Sequence, residues 1–198
     1  NVAGVTGATD GIYASNAGSG ALSVTATGTI VGTSGVGLVA QNVNGTDLTI
    51  STQSVSGAVT GISARNNGTG ALSLTSTGNV TASRNGIFAQ NFGTNMTLSG
   101  TSVSGNAGVV ATNAGSGSLA LTMTGAVTGN DGRGISARNQ SSGLNLGITV
   151  AGVTGTTDGI FADNAGSGVL SVTSTGTVAG TIRYGVFARN SNTGTDLT

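Results

Sequence analysis

Carboxylate and guanidinium groups are the main side chains in this sequence that could take part in catalysis. The chain contains six Asp and six Arg in 198 residues, and it has no Glu, Lys, His or Cys. Two carboxylates on neighbouring segments, or a carboxylate beside Arg, could cleave a polysaccharide by acid–base chemistry. However, Asp10 and Asp158 lie far apart in Thr-Asp-Gly turns, where Asp commonly caps the turn backbone. We therefore expect no catalytic residue and no enzymatic activity.

The remaining composition limits the partners and cofactors that we expect. Without Cys or His, zinc, haem and iron–sulfur sites lack their usual ligands, so we expect no metal and no cofactor. The charges balance to zero and form no basic stripe, so nucleic acid is not an expected partner. No apolar run is long enough to span a bilayer, so we expect no membrane insertion of this segment. The closest opposite charges, Asp131 and Arg133, are interpreted as an exposed ion pair within one loop.

A five-residue phrase recurs eight times and defines the elements that must position these side chains. It consists of an aliphatic residue, a free position, Ala, a free position and Asn, as in Ile62 to Asn66. Successive Asn residues are 26, 24, 25, 22, 26, 25 and 26 positions apart. Such a period is typical of stacked units that complete one another's core. We therefore interpret residues 1–198 as a single repeat array and, because neither end carries a polar cap, as an internal fragment of a longer protein.

Three short stretches with strand patterning make up each repeat. The first alternates apolar and polar residues, so that Leu22 and Val24 share a buried face. The second is β-branched and is centred on residues such as Ile30, and the third is the recurring phrase itself. Three strands and three corners per repeat predict an all-β fold, a parallel β-helix solenoid with about eight coils of 22–26 residues. We expect its winding to be right-handed.

The spacing between the first and second stretches alternates from coil to coil. It is eight residues after Leu22 and seven residues after Leu48, and this alternation continues along the chain. The longer coils carry an additional Gly at the corner, where a bend without a Cβ atom is useful. The sequence therefore predicts a super-repeat of two coils, about 49 residues long.

The Asn of each repeat is the first candidate site. Stacked amides at a β-helix corner hydrogen-bond to one another and to the turn backbone, so we interpret these residues as structural. This asparagine ladder comprises Asn16, Asn42, Asn66, Asn91, Asn113, Asn139, Asn164 and Asn190.

A column of outward hydroxyl groups on the first strand is the second candidate. Regular Thr-x-Thr arrays on a flat sheet resemble the ice-binding face of β-solenoid antifreeze proteins. The alternative is that Thr is simply a good strand former on an exposed surface. This hydroxyl ladder comprises Thr25, Ser51, Thr75, Ser99, Thr122, Thr149 and Thr173.

An outward column on the third strand is the third candidate. Four of the six aromatic residues stand in it, and the next outward column is polar and includes Arg65, Arg138 and Arg189. An exposed apolar stripe bordered by Arg is typical of a contact surface, whereas aromatic stacking between coils would serve stability alone. Both interpretations remain open. This contact column comprises Tyr13, Val39, Phe88, Val110, Phe161 and Phe187, with Ser63 and Ser136 between them.

The Gly-Ile-x-Ala-x-Asn and Leu-Ser-Val-Thr-x-Thr-Gly phrases, with no Lys, Glu or Cys, resemble the β-helical passenger region of Gram-negative autotransporter adhesins. Filamentous-haemagglutinin-like exoproteins are similar in the same respects. The resemblance implies an extracellular stalk on the bacterial cell surface that mediates adhesion, aggregation or biofilm contact. Its implied partners are other copies of the chain, or a glycan or protein on the host or another surface.

Two other functions are considered beside adhesion. One is an ice-binding solenoid that uses the hydroxyl ladder. The other is a β-helix that binds or cleaves a polysaccharide. Thermal hysteresis would single out the first, and product release from polysaccharides would single out cleavage.

Overall fold

The computed structural model of the protein describes all 198 residues, and it consists of 21 short β-strands without any helix. The strands in chain order are β1 (Val5–Gly7), β2 (Ile12–Asn16), β3 (Leu22–Thr25), β4 (Ile30–Gly32), β5 (Leu38–Asn42), β6 (Leu48–Thr52), β7 (Val55–Gly57), β8 (Thr60–Asn66), β9 (Leu72–Ser76), β10 (Val80–Ala82), β11 (Asn85–Asn91), β12 (Met96–Gly100), β13 (Val103–Gly105), β14 (Ala107–Asn113), β15 (Leu119–Gly129), β16 (Ile135–Asn139), β17 (Leu146–Gly155), β18 (Ile160–Asn164), β19 (Leu170–Ser174), β20 (Val178–Gly180) and β21 (Val186–Asn190).

Each turn of the chain adds one strand to each of three stacks, and every strand pairing is parallel. The first face contains β3, β6, β9, β12, the first halves of β15 and β17, and β19. The second face contains β1, β4, β7, β10, β13, the second halves of β15 and β17, and β20. The third face contains β2, β5, β8, β11, β14, β16, β18 and β21. The predicted parallel β-solenoid is confirmed, and the eight strands of the third face define about seven full turns.

The core is a narrow apolar column enclosed by the three faces. Within one coil, Leu48 and Ile50 of the first face, Val55 of the second, and Ile62 and Ala64 of the third are almost fully buried. These inward side chains form one continuous cluster that extends from Val24 to Leu170. The alternation of the sequence therefore predicts the inward positions, because successive strand residues point to opposite sides.

The alternating coil spacing appears in the structure as a β-bulge. Strands β15 and β17 run through the corner between the first and second faces, which joins these faces into one 13-stranded sheet. Their register shifts between Met123 and Ala126, where β15 contains one residue more than β17. Gly125 lies in this bulge, as the longer coils of the sequence suggested.

Most of the glycines serve close packing and not unusual backbone angles. No residue, glycine included, has a positive φ. A complete column of Gly immediately precedes the aliphatic residue that opens the recurring phrase on the third face, and Gly108, before Val109, is representative of it. A Cβ atom on Gly108 would lie 2.5 Å from the carbonyl oxygen of Gly134 and 2.6 Å from Cγ1 of Val127. The coils therefore approach one another too closely here for any side chain.

Candidate contact face

The asparagine ladder is a continuous chain of side-chain hydrogen bonds along the solenoid. In all seven steps, Nδ2 of one Asn donates to Oδ1 of the Asn in the next coil, at 2.9–3.1 Å. The six Asn residues from Asn42 to Asn164 are buried. Nδ2 also donates to carbonyl groups of its own corner, as Asn91 does to Thr94 at 2.9 Å. The amides thus satisfy buried polar groups on both sides of each corner.

The hydroxyl ladder lies in strict register on the first face. Each member pairs with the equivalent residue of the next coil, from Thr25 to Thr173. None of the seven hydroxyl groups bonds to another group of the protein. By contrast, hydroxyl groups of the adjoining corner, such as that of Thr101, donate to carbonyl oxygens of the preceding coil. The ladder therefore presents a row of free hydroxyl groups, half-buried or exposed, to the outside.

The contact column is less uniform than the sequence suggested. Its members are in register across the whole third face. The side chain of Tyr13 is 65% exposed, whereas Val39 in the next coil is buried at 7%. Phe88, Val110 and the two remaining Phe residues are half-buried. Accessible apolar area thus lies at separate positions of the column and not along an even stripe.

Phe161 and Phe187 cover part of one another. Their rings are parallel to within 5°, with centroids 4.9 Å apart. The guanidinium groups of Arg133 and Arg138, which belong to the preceding coil, lie 4.0 Å and 5.1 Å from the Phe161 ring centroid. Such cation–π contacts hold the two guanidinium groups near the column. Stacking between coils therefore accounts for part of this aromatic surface.

The charged loops between the second and third faces pair across coils and not within them. Arg133 does not pair with Asp131, contrary to the sequence-based expectation. Its Nε instead donates to Oδ2 of Asp158 in the next coil at 2.9 Å, and Nη1 of Arg183 approaches the same oxygen at 3.7 Å. Asp158 is completely buried. A coil spacing of about 4.8 Å brings equivalent loops into such contact.

A second ion pair stands on the polar column of the third face. Nε and Nη2 of Arg189 donate to the two carboxylate oxygens of Asp163 at 2.9 Å and 2.8 Å. These hydrogen bonds, and then the charge attraction, raise the pKa of the Arg189 guanidinium. Asp163 is in register with Arg138 on its other side, but it forms no salt bridge with that residue.

A groove of about 490 Å³ lies beside the contact column, between the third face and the charged loops. Ser136, a small residue of the column, lines it, and so do Val110 and Ala107. We call it the arginine groove because three of the six Arg residues line it. These residues are Arg133, Arg138 and Arg183.

Sequence reasoning missed a second set of polar groups that link successive coils. Oδ1 of Asp47 accepts a hydrogen bond from the backbone N–H of Ala71 at 2.7 Å, and Asn95 and Asn145 make the equivalent contact. Oδ1 of Asp10 likewise accepts from Val36 in the next coil. The sequence carries a signal for these contacts, because an Asp or Asn immediately precedes the first strand in every second coil. These residues are Asp47, Asn95 and Asn145.

The structure shows no group of three or more His, Cys, Asp or Glu side chains that could hold a metal ion. It also has no helix that is suited to crossing a membrane. Comparisons with protein-family models, with curated proteins and with solved structures found no match to this chain.

Proposed function

We propose that this chain is a structural and adhesive stalk segment of a bacterial protein that is secreted or displayed on the cell surface. The observation that carries the proposal is the outward surface of the third face, where a register-locked column combines aromatic and aliphatic groups with Arg. Aromatic and Arg side chains are enriched at binding hot spots. A stacked array also repeats similar contacts along its length, which favours multivalent attachment.

The energetics of the contact column are consistent with association. Tyr13 and the half-buried Phe side chains keep part of their apolar area in contact with water. Removing that area from water gains about 25 cal/mol per Å² before the costs of association. The partner is a second copy of the chain, or a glycan or protein on another surface.

Replacing Phe88, Phe161 and Phe187 together with Ser tests this role. Ser63 and Ser136 occupy the same column, so the change is compatible with the strand geometry. We expect the triple variant to remain a β-solenoid, by far-UV circular dichroism, and to lose most of its self-association and cell adhesion. The matched control is Phe92→Ser, an exposed aromatic outside the column. A folded triple variant that adheres as well as its parent would refute the proposal.

Ice binding is the second candidate, and the free hydroxyl groups of the hydroxyl ladder favour it. Repeated hydroxyl groups on a regular sheet are available to ordered water because no protein group uses them. For this function we expect the parent chain to show thermal hysteresis. We expect Thr149→Tyr to lose it, because this change interrupts the hydroxyl ladder. Freezing without hysteresis or ice shaping would exclude it.

A further inference from the structure

We propose that the arginine groove is a binding site for a carboxylated saccharide, such as a uronic acid residue of an acidic glycan. The inference deepens the proposed adhesive function, since it assigns a ligand class to one place on the same third face. It rests on the charges, the free donors and the free hydroxyl groups of the groove.

The groove has more positive than negative charge around it. Arg133 and Arg183 share a single buried carboxylate, that of Asp158. Arg138 forms no salt bridge and no hydrogen bond with the protein, because Asp163 beside it binds Arg189. Asp131 is exposed in the loop of Arg133 and forms no salt bridge. Three guanidinium groups therefore line the groove, and the nearby negative charges are the buried carboxylate of Asp158 and the exposed one of Asp131, in a chain whose formal net charge is zero.

Arg138 has its donors free but its position restrained. Its guanidinium carbon lies 5.1 Å from the centre of the Phe161 ring, which holds the side chain over the column. A guanidinium group carries N–H donors in a planar fork that matches the two oxygens of a carboxylate. A monoanionic carboxylate also suits a groove in which the other two Arg residues are already engaged with Asp158.

The remaining lining favours a saccharide over an acidic peptide. Hydroxyl groups of Thr112, Ser136 and Thr157 line the groove, and none of them bonds to another protein group. Hydroxyl groups both donate and accept, as the hydroxyl groups of a sugar ring require of their partners. The volume of about 490 Å³ lies within the usual range of small-molecule pockets.

The chain contains a matched control for Arg138. The pentapeptide Ile-Ser-Ala-Arg-Asn occurs at residues 62–66 and again at 135–139. Arg65 therefore has the same local sequence and the same outward position as Arg138. Its Nε, however, donates to Oδ1 of Asn67 at 2.8 Å, and its guanidinium carbon lies 5.2 Å from the ring centre of Phe92, outside the groove.

The test is binding of oligogalacturonate to the 198-residue chain in solution, measured by titration calorimetry. We expect Arg138→Gln to weaken binding about tenfold or more, which is typical of a lost charge-assisted hydrogen bond. Arg65→Gln should change it by less than about twofold, as expected for a surface substitution outside the site. Ser136→Phe, which places in the groove a residue that the column carries elsewhere, should abolish binding. Added salt should weaken binding by the parent.

Comparison probes separate the ligand classes. A neutral galactose oligomer should not bind, because it lacks the carboxylate. Absence of oligogalacturonate binding by the parent, equal losses in Arg65→Gln and Arg138→Gln, or tighter binding of oligoglutamate, sulfated oligosaccharide or inorganic phosphate would overturn the inference. If the triple Phe variant loses adhesion while the parent binds no oligogalacturonate, the adhesive function stands and the acidic-glycan site fails. If the parent binds oligogalacturonate while the triple variant adheres as well as the parent, the acidic-glycan site stands and the adhesive role of the contact column fails.

Discussion

Single polar side chains in this solenoid connect coils to one another more than they connect residues within a coil. Each of the six amides between Asn16 and Asn190 donates to one ladder neighbour and accepts from the other, so the hydrogen bonds of the ladder all point the same way and polarise one another. Asp158 and Asp47 likewise bind groups of another coil. Each buried Asn of the ladder, and buried Asp158, is therefore partly responsible for the packing of two successive coils.

The asparagine ladder is expected to be essential for stability but not for binding. Asn91→Ala removes the donor to Asn113 and the acceptor for Asn66, both in buried positions. We expect the free energy of unfolding to fall by about 1–3 kcal/mol, because the neighbouring amides lose a buried partner. Chemical denaturation measures the change. Asn79→Ala, at an exposed Asn without side-chain hydrogen bonds, is the control, and equal stability of both variants would contradict a structural ladder.

Thr52 and Ser76 occupy the same inward position in successive coils but should respond oppositely to loss of their hydroxyl group. Oγ1 of Thr52 is buried without a hydrogen-bond partner. The hydroxyl of Ser76 instead donates to the carbonyl oxygen of Gln53 at 2.7 Å. We expect Thr52→Val to stabilise the protein and Ser76→Ala to destabilise it, each by about 1 kcal/mol. Parallel thermal and denaturant melts measure both changes, and a destabilised Thr52→Val would show that its hydroxyl has a partner.

At the scale of strands and corners, close approach of the backbone explains the abundance of glycine. Glycine precedes the aliphatic residue of the recurring phrase in every coil, and in all but the last coil the carbonyl group of the next coil occupies the space of a Cβ atom. The strands themselves need only alternate inward apolar and outward polar residues. Corner geometry, and not strand propensity, is thus the stricter requirement on this sequence.

Two Gly→Ala substitutions separate these requirements. Gly108→Ala places a methyl group 2.5 Å from the carbonyl oxygen of Gly134, so the coils must move apart. We expect a loss of about 1–3 kcal/mol or more, as for other overpacked sites. Gly147→Ala meets no atom within 4 Å and should be tolerated or slightly stabilising. Denaturant melts of the two purified variants provide the comparison, and equal stability would contradict the close-packing explanation.

At the scale of the whole molecule, stability is a sum of coil–coil interfaces. The apolar cluster is continuous, but each coil contacts only the coils before and after it. The two-coil repeat, with its alternating spacing of eight and seven residues between the first and second strands, is therefore the natural unit of insertion or removal.

Removing two whole coils should preserve the fold. Deletion of residues 67–113 joins Asn66 to Ala114, and the deleted segment begins and ends directly after an Asn of the ladder, Asn66 and Asn113 having the same place in their coils. We expect a β-sheet circular dichroism spectrum and one cooperative melt at a lower temperature, because two interfaces are lost. Deletion of residues 67–101 joins β8 of the third face to β13 of the second face. The chain then lacks a first-face strand in that coil, so we expect this variant not to fold cooperatively. Equal behaviour of the two deletions would contradict the requirement for removal of whole coils.

The sequence by itself determined the period, the three strands per coil, the inward positions and the asparagine ladder. These are properties of local alternation and of spacing, which the chain carries from Asn16 to Asn190 irrespective of its neighbours. The bulge between Met123 and Ala126 was likewise visible as an extra residue in every second coil.

Only the tertiary structure decided which charged and aromatic groups meet. The loops between the second and third faces differ in length, so the sequence does not reveal that Arg133 reaches Asp158 in the next coil and not Asp131 in its own. The sequence also does not reveal that Val39 is buried while Tyr13 is exposed, because both residues stand at the same outward position of neighbouring strands. Parity assigns a side chain to a face, but contacts between coils depend on loop paths that bring together residues about 25 positions apart.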